Sequence, residues 1–550
     1  MSWHRYSKLS DNIVNTSLKK IYGPPGSGKT TWLIEYMQQS GVPYERIAFV
    51  SFARATLENI KNRLKLNKEE SQYFRTIHGM NFYLLGIKKE QLAHQHLHKF
   101  DAKFSREFLK SESQEKVDSS LSSVLYANDT IDDQFYIEMM EERKHLLPRD
   151  YVPQKFMRCS GLYLDFKRRY FEWMEQNDYI DFVGLLEQGI AEEKIPPVDL
   201  LCVDEWQDLI PLQVKQINFW SQFIPLSAHA GDDDQTIHEW AGASHRDFLD
   251  FPRFEPGEKK TIILNKTYRL PTRVLDMSVA FIKKNKNRVD KDFTAAKTDG
   301  GLIEYTNIDK VADILREQLK RGTCKVLVRN NSLKLKVIKD LIARGIPVNV
   351  TLKKTVEAIA LISEKKDRLT ISDLYQIADS PAFHGTKHFL RGGKKGLKEL
   401  ADALGTAGET SIAVGDLLQY KVRGVLVEAI KNGDYTVLHT KDLAQAIDLY
   451  KTYGKNYQPV EVTSIHRAKG TEADTVVVCL DVAKKTFIAS SRPDKIEEER
   501  RVWYVAMTRT KKNLIFLQPG YRGFYASPMN DYVRLYLKHE QSNSTRTDCA

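Results

Sequence analysis

The chain has 550 residues, of which 42% are hydrophobic and 28% charged. This composition excludes collagen-like, disordered and small disulfide-stapled proteins, and the length predicts several domains. No apolar stretch is long enough for a membrane helix and the start of the chain is polar, so we expect a cytoplasmic protein without a membrane partner. The cysteines are scattered and form no C-x-x-C pair, so we expect reduced thiols and no zinc or iron–sulfur site.

The net charge is +11, from 83 basic and 72 acidic side chains. An excess of this sign favours a polyanionic partner such as nucleic acid. Many basic proteins bind no nucleic acid, so charge alone leaves the partner open.

Short aliphatic runs alternate with helical patterns, which predicts buried parallel strands of α/β domains. The runs form one group before residue 275 and another after residue 300. They are Ile47–Ser51, Leu200–Val203, Thr261–Leu264, Lys325–Val328, Val460–Ile465, Thr475–Leu480 and Leu514–Leu517. Residues 85–169 and 366–454 are helical in pattern and are predicted to be insertions in two α/β cores. The polar end, His539–Ala550, is predicted to be frayed.

A glycine-rich string between a predicted strand and a predicted helix fits the pattern G-x-x-x-x-G-K-[ST]. Its residues are Gly23, Pro24, Pro25, Gly26, Ser27, Gly28, Lys29 and Thr30, and the helical pattern begins at Thr31. Backbone N–H groups of such a loop surround phosphates, and the helix N-terminus favours negative charge. We predict that these residues and Thr31 bind the nucleotide. In this prediction Lys29 reaches the β- and γ-phosphates of ATP and the Thr30 hydroxyl holds Mg²⁺.

The apolar run Leu201–Val203 ends in Asp204 and Glu205, which places two carboxylates at the end of a strand where α/β ligands bind. We predict that Asp204 holds Mg²⁺, usually through water, and that Glu205 orients or deprotonates the attacking water. A solvated strand end is the alternative for this pair taken by itself.

Two acidic strings resemble boxes of superfamily-one DNA helicases of the UvrD, Rep and PcrA type. Asp204–Asp208 resembles their D-E-x-Q-D box, and Gly231–Gln235 resembles their G-D-D-D-Q box. Further matches follow in family order: Thr76–His78, Asp181–Leu186, Tyr268–Arg269, Ile465–Glu472 and Glu498–Arg509.

The resemblance implies an α/β fold of two RecA-like P-loop NTPase lobes with two mainly helical insertion domains. The expected first lobe (1A) is residues 1–84 and 170–275, with insertion 1B at 85–169. The expected second lobe (2A) is residues 276–365 and 455–550, with insertion 2B at 366–454.

The resemblance also implies roles for single residues. Arg269 and Arg509 match arginines that reach the γ-phosphate, Arg509 from the second lobe. Gln235 matches the residue that senses the γ-phosphate and water. Tyr268 matches the aromatic residue near the adenine, and Glu472 the acidic residue that touches the ribose. A surface ion pair is the alternative for either arginine outside its motif.

Contacts with single-stranded DNA follow from the same resemblance. Trp240 matches a tryptophan that stacks on bases, whereas Thr76, His78 and His466 match residues that contact the DNA backbone. A core tryptophan and ordinary surface or core histidines are the alternatives for these positions.

The sequence departs from the family pattern at several places. The usual F-T-N-K-A appears as Ser51–Ala55, which displaces the aromatic residue to Phe52 and to the other face of a strand. Ala241 replaces an arginine, and Leu9–Leu18 lacks an adenine-reading glutamine. The basic turn Arg391–Gly396 is either a duplex-phosphate contact or a solvated loop.

We therefore expect an ATP-dependent DNA helicase that moves on single-stranded DNA and opens duplex at single-strand/duplex junctions, with 3′-to-5′ direction implied by the resemblance alone. An RNA helicase, a translocase that strips proteins, and an ATP-gated nucleic-acid-binding switch are the alternatives. The sequence is silent on protein loading partners.

Overall fold

A computed structural model of the chain describes residues 16–51, 54–100, 131–239, 242–297, 301–348, 350–365, 367–378, 411–413, 446–447, 450–451, 458–493 and 495–547. They belong to two units, one drawn from residues 1–298 and 496–504, the other from residues 299–495 and 505–550. Phe52, Trp240, Ala241, the turn Arg391–Gly396 and most of the predicted 2B insertion lie outside the described residues.

The first unit is built on a sheet of six parallel strands in the order β3-β2-β4-β5-β1-β6, as far as the described residues go. The next two strands, β7 and β8, form a separate parallel pair. The strands are β1 Ser17–Tyr22, β2 Ile47–Val50, β3 Phe74–Arg75, β4 Leu200–Val203, β5 Leu226–Gly231, β6 Glu258–Ile263, β7 Lys266–Pro271 and β8 Thr294–Lys297.

Helices cover both faces of this sheet. The helices of this unit up to residue 282 are α1 Lys29–Gln39, α2 Arg54–Leu64, α3 Ile77–Leu84, α4 Ile131–Lys144, α5 Ser160–Gln176, α6 Phe182–Ala191, α7 Pro211–Phe223, α8 His245–Leu249 and α9 Thr272–Ile282. Successive side chains of β4 alternate between two cores: Leu200 packs with α1 on one face, and Leu201 packs with α7 on the other. Burial on both faces explains why β4 is apolar throughout.

Helices α4 and α5, which span much of the predicted 1B insertion, share the core of the second face. Phe135, Tyr163 and Phe166 are fully buried and belong to the same hydrophobic cluster as Leu201 and Trp206. The aromatic side chains of these helices are therefore continuous with the core beneath the sheet.

The second unit contains a sheet whose described strands are all parallel, in the order β13-β10-β14-β16-β9. Its strands are β9 Leu302–Thr306, β10 Cys324–Val328, β13 Glu461–Ser464, β14 Ala473–Cys479 and β16 Thr510–Leu517. Two antiparallel pairs accompany it: β11 Arg368–Thr370 with β12 Ser411–Ala413, and β15 Asp481–Val482 with β17 Tyr525–Ala526.

The remaining helices follow in chain order. They are α10 Ile308–Gln318, α11 Asn331–Ala343, α12 Val350–Glu364, α13 Ile371–Ala378, α14 Ile465–Ala468, α15 Lys484–Ser490, α16 Ile496–Met507 and α17 Pro528–Thr547. Residues 496–504 of α16 belong to the first unit. The prediction of a frayed end is wrong for residues 539–547, because α17 continues to Thr547.

Each strand predicted from an aliphatic run is present, so the α/β prediction with parallel sheets is confirmed. Three strands of the two large sheets, β3, β5 and β9, were not predicted. Within the described part of the chain no helix has the length and apolar character required to cross a bilayer. The four cysteines described there are free thiols, as expected.

Candidate nucleotide-binding and hydrolysis site

The glycine-rich loop connects β1 to α1, as predicted. Gly28 precedes the helix with φ +83°, and Lys29 is the first helical residue. Gly26 has φ +75°, and a Cβ at this position would lie 2.4 Å from Cβ of Arg269. Both the backbone angle and the close approach therefore exclude larger side chains at residue 26.

The Lys29 ammonium is buried within its own loop. Its Nζ donates hydrogen bonds to the carbonyl oxygens of Gly23 at 2.9 Å and Pro24 at 3.2 Å. Burial lowers the pKa of Lys29 even though the carboxylates of Asp232, Glu205 and Asp204 oppose the shift. A phosphate near Nζ adds negative charge and favours the protonated lysine.

The loop also holds a buried hydroxyl. Among the described residues, Oγ of Ser27 has no hydrogen-bond partner. Buried polar atoms are usually paired, so this oxygen marks a place where a polar ligand would restore a hydrogen bond. Its position in the glycine-rich loop fits a nucleotide phosphate.

Thr30 and Asp204 are brought together from positions far apart in the chain. Oγ1 of Thr30 donates a hydrogen bond to Oδ2 of Asp204 at 2.6 Å. Burial and, next, the charge of Glu205 raise the pKa of Asp204 to about 6, against the hydrogen bond from Thr30. A hydroxyl and a carboxylate are hard oxygen donors, and a cation between them would offset the burial of the carboxylate. The pair fits the predicted Mg²⁺ ligands.

Glu205 follows the strand end in a left-handed backbone conformation, with φ +55°. Its Oε2 accepts a hydrogen bond from Nε2 of Gln207 at 2.5 Å. Oε1 of Gln207 in turn accepts the backbone N–H of Asp232 at 2.9 Å. Gln207 thus connects the two acidic boxes, a role that its place in the D-E-x-Q-D string could have suggested but that we did not predict.

Gln235 lies in the short helical turn Asp233–Gln235 after β5 and is buried. Its Nε2 donates a hydrogen bond to Oδ2 of Asp232 at 2.7 Å. Burial opposes ionisation of Asp232, but the ammonium groups of Lys291 and Lys29 outweigh it and lower the pKa. The Gln235 amide is therefore held on one side by the ionised carboxylate of Asp232.

Tyr268 and Arg269 lie in β7 beside the glycine-rich loop. The backbone N–H of Tyr268 donates to the Gly26 carbonyl at 2.9 Å, and Oγ1 of Thr267 donates to the Pro25 carbonyl at 2.7 Å. The side chain of Tyr268 is 63% exposed, which leaves its ring available for a base. Thr267 was not among the predicted residues, although it directly precedes the Tyr-Arg motif.

The residues predicted to contact DNA have local roles of their own. Oγ1 of Thr76 accepts the N–H of Gly79 at 3.1 Å and caps α3. The ring of His78 packs edge-on against Phe182, with centroids 6.0 Å apart. Trp240 is outside the described residues.

Three predicted residues belong to the second unit. Arg509 is buried and donates from Nε to the Val505 carbonyl at 3.0 Å. Glu472 pairs with Lys511 at 2.5 Å. His466 is half-buried in α14. Their action on the nucleotide and on DNA stays a prediction.

Two family models match the chain. Residues 11–255 match the UvrD/REP helicase N-terminal domain, and residues 430–518 match the UvrD-like helicase C-terminal domain. The matched ranges together cover more than half of the chain.

Three curated relatives match between 66% and 90% of this chain. A probable DNA helicase II homolog of Mycoplasma capricolum is 23% identical over 90% of this chain and 81% of its own length. The putative ATP-dependent DNA helicase YjcD of Bacillus subtilis is 24% identical over 90% of this chain and 76% of its own. The ATP-dependent DNA helicase PcrA of Staphylococcus aureus is 22% identical over 66% of this chain and 62% of its own.

Proposed function

Because the chain belongs to the UvrD/Rep-type helicase family and is an ATP-dependent DNA helicase, we propose that it moves 3′-to-5′ along single-stranded DNA and opens duplex at junctions. The proposed architecture is two RecA-like lobes with helical insertions. The observation that carries the proposal is the hydrogen bond from Thr30 to Asp204, next to the buried Lys29. This bond brings the glycine-rich phosphate loop and the D-E-x-Q-D box together at one site.

We propose that Lys29 binds the β- and γ-phosphates of ATP and that Thr30 and Asp204 would hold Mg²⁺. The metal, when bound, supplies positive charge to the phosphates. Glu205 orients the attacking water and accepts its proton, and the hydrogen bond from Gln207 keeps the Glu205 carboxylate in position.

The remaining nucleotide contacts follow the family assignment. Gln235 and Arg269 act at the γ-phosphate, and the exposed ring of Tyr268 stacks on the adenine. Arg509 and Glu472 keep the roles that the resemblance predicts for them, at the γ-phosphate and at the ribose. Cationic groups at the γ-phosphate stabilise the charge that spreads over its oxygens in the transition state.

We further propose single-stranded DNA as the track. Trp240 stacks on bases, and Thr76, His78 and His466 contact the DNA backbone. Base stacking and backbone contacts are how single strands are held without sequence preference. The net charge of +11 supports this polyanionic partner.

The test measures ATP hydrolysis with no nucleic acid, with single-stranded DNA and with RNA. Duplexes with a 3′ or a 5′ overhang then report direction. We expect stimulation by DNA and unwinding of the 3′-overhang substrate. Stimulation by RNA alone would contradict the choice of DNA, and unwinding from the 5′ overhang would contradict the direction. DNA binding controlled by ATP without unwinding would favour a switch.

Lys29→Ala should abolish hydrolysis without unfolding the protein, since Lys29 binds the transferred phosphate. Lys320→Ala is the control, because this lysine is 59% exposed and pairs with the equally exposed Glu317 three residues before it. Far-ultraviolet circular dichroism checks the fold. Retained DNA-stimulated hydrolysis in Lys29→Ala would contradict the site assignment.

A further inference from the structure

Lys291 lies beside the acidic box of the first unit and is completely buried. Its Nζ contacts all three aspartates of the box: Asp232 at 2.9 Å, Asp234 at 3.1 Å, and Asp233 through a hydrogen bond. Each of these carboxylates is itself fully buried. Isolated buried charges are costly, so the ammonium is what allows three carboxylates to share this space.

Arg288 brings a second positive charge to the cluster. Its Nε and Nη2 donate to the two carboxylate oxygens of Asp234 at 3.0 Å and 2.8 Å. The backbone N–H of Val289 donates to Asp233 at 2.8 Å. The three aspartates are close enough together to hold a cation, but Lys291 already occupies their centre. The cluster is therefore an internal ion-pair network and not a second metal site.

The network reaches the predicted reaction groups through Asp232. Oδ1 of Asp232 accepts Lys291, while Oδ2 accepts the amide of Gln235 at 2.7 Å. The backbone N–H of Asp232 contacts Gln207, which holds Glu205. One ammonium thus fixes the carboxylate on which the orientation of Gln235 depends, and lies three hydrogen bonds away from Glu205.

The segment that carries Lys291 is also held from the other side, by the start of α16. Nδ2 of Asn285 donates to the Glu497 carbonyl at 2.9 Å, and the N–H of Lys286 donates to the Glu497 carboxylate at 2.8 Å. Arg501 donates to the Asn287 carbonyl at 3.1 Å. These contacts, all within the first unit, give the segment 285–291 a defined path.

We propose that Lys291 is a positioning residue for ATP hydrolysis, which holds Asp232 so that the Gln235 amide faces the γ-phosphate. The proposal rests on the proposed function, because it requires that Gln235 acts at that phosphate. Lys291 acts through its contact with Asp232 and not on the nucleotide itself. Its removal should affect the chemical step more than ATP binding, since the glycine-rich loop and Tyr268 remain in place.

The experiment compares DNA-stimulated ATP hydrolysis by the full chain, its Lys291→Met and Gln235→Ala variants, and the double variant. We expect Lys291→Met to lower kcat on the order of 10–100-fold while KM for ATP changes less than about threefold. The double variant should be no slower than Gln235→Ala within about threefold, because both changes remove the same function. Lys283→Met, at an exposed lysine paired with exposed Asp292, is the matched control with unchanged kcat.

A merely structural role would give a different pattern. Normal kcat in Lys291→Met, or losses that multiply in the double variant, would overturn the proposal. The variant Lys291→Met with Asp233→Asn removes one charge of each sign and keeps the net charge of the cluster, so it tests the same contact if Lys291→Met does not fold. Normal kcat in that variant, or failure of both variants to fold, would assign Lys291 to stability alone. Absence of DNA-stimulated hydrolysis in the unmodified protein would instead contradict the proposed function.

Discussion

The amide of Gln207 donates a 2.5 Å hydrogen bond to the carboxylate of Glu205, the residue proposed to activate water. Gln207 is fully buried, and its other amide atom, Oε1, accepts the backbone N–H of Asp232. A carboxylate that must accept a proton works best when its orientation is fixed before the reaction. Gln207 is therefore expected to influence catalysis without contacting ATP.

Gln207→Ala should lower kcat about tenfold and leave KM for ATP within about threefold of the original value. Steady-state hydrolysis at saturating single-stranded DNA measures both constants. Gln188→Ala is the control, because this exposed glutamine of α6 donates a hydrogen bond to Glu192, the residue that follows the helix. If KM for ATP rose while kcat stayed unchanged, the result would show that Gln207 serves ATP binding instead.

Gly26→Ala should abolish ATP binding. The new Cβ would lie 2.4 Å from Cβ of Arg269 and would also require φ +75°, so the phosphate loop must shift. Gly41→Ala is a matched control with φ +71° and open space around the position. It should lose roughly 1 kcal/mol of stability and keep normal ATP affinity. Equilibrium titration with a fluorescent ATP analogue compares the ATP affinities of the two variants. Normal affinity in Gly26→Ala would be inconsistent with this loop geometry.

Thr76 combines a cap for α3 with a predicted DNA-backbone contact, and Thr76→Asp separates the two. Aspartate is a good N-cap, so the thermal midpoint should change little, whereas its negative charge should weaken binding of labelled oligo-dT about tenfold. Thr76→Ala should instead cost about 1 kcal/mol of stability. Fluorescence anisotropy and thermal unfolding report these effects. Unchanged oligo-dT affinity in the aspartate variant would place the DNA elsewhere.

His229 should make the first unit sensitive to acid. Burial and, next, the charge of Lys20 lower its pKa from 6.5 to about 3. The unfolded chain takes up a proton near pH 6.5 and the folded chain only near pH 3, so stability declines as pH falls between these values. The loss from pH 7.5 to 5.5 is on the order of 1 kcal/mol.

His229→Leu should reduce this decline, measured by urea unfolding at both pH values. Tryptophan fluorescence follows the first unit, where Trp206 and Trp220 are buried. His96→Gln, at a half-buried histidine stacked on Tyr179, should leave the decline unchanged. Equal declines in the His229→Leu variant and the original chain would exclude His229 as the cause.

Local features of the sequence were sufficient to predict the phosphate loop and most strands of the two large sheets. The string from Gly23 to Thr30 encodes its own backbone path through glycines at φ above zero, and the β4 run is apolar because both faces are buried. β5 was not predicted, because its sequence, Leu-Ser-Ala-His-Ala-Gly, contains no β-branched residue. It is a strand because β1 and β4 pair with it on either side.

Only the tertiary structure decided which side chains support the predicted ones. Lys291 is 59 residues from Asp232 in sequence, and Thr267 is 242 residues from the carbonyl it contacts in the phosphate loop. No local sequence pattern predicts such partners, because a buried charge or polar group is paired with whichever chain segment the fold brings near. The reactive residues of a motif are neighbours in the sequence and can be predicted from it. The residues that hold them in position come from distant segments and are decided by long-range packing.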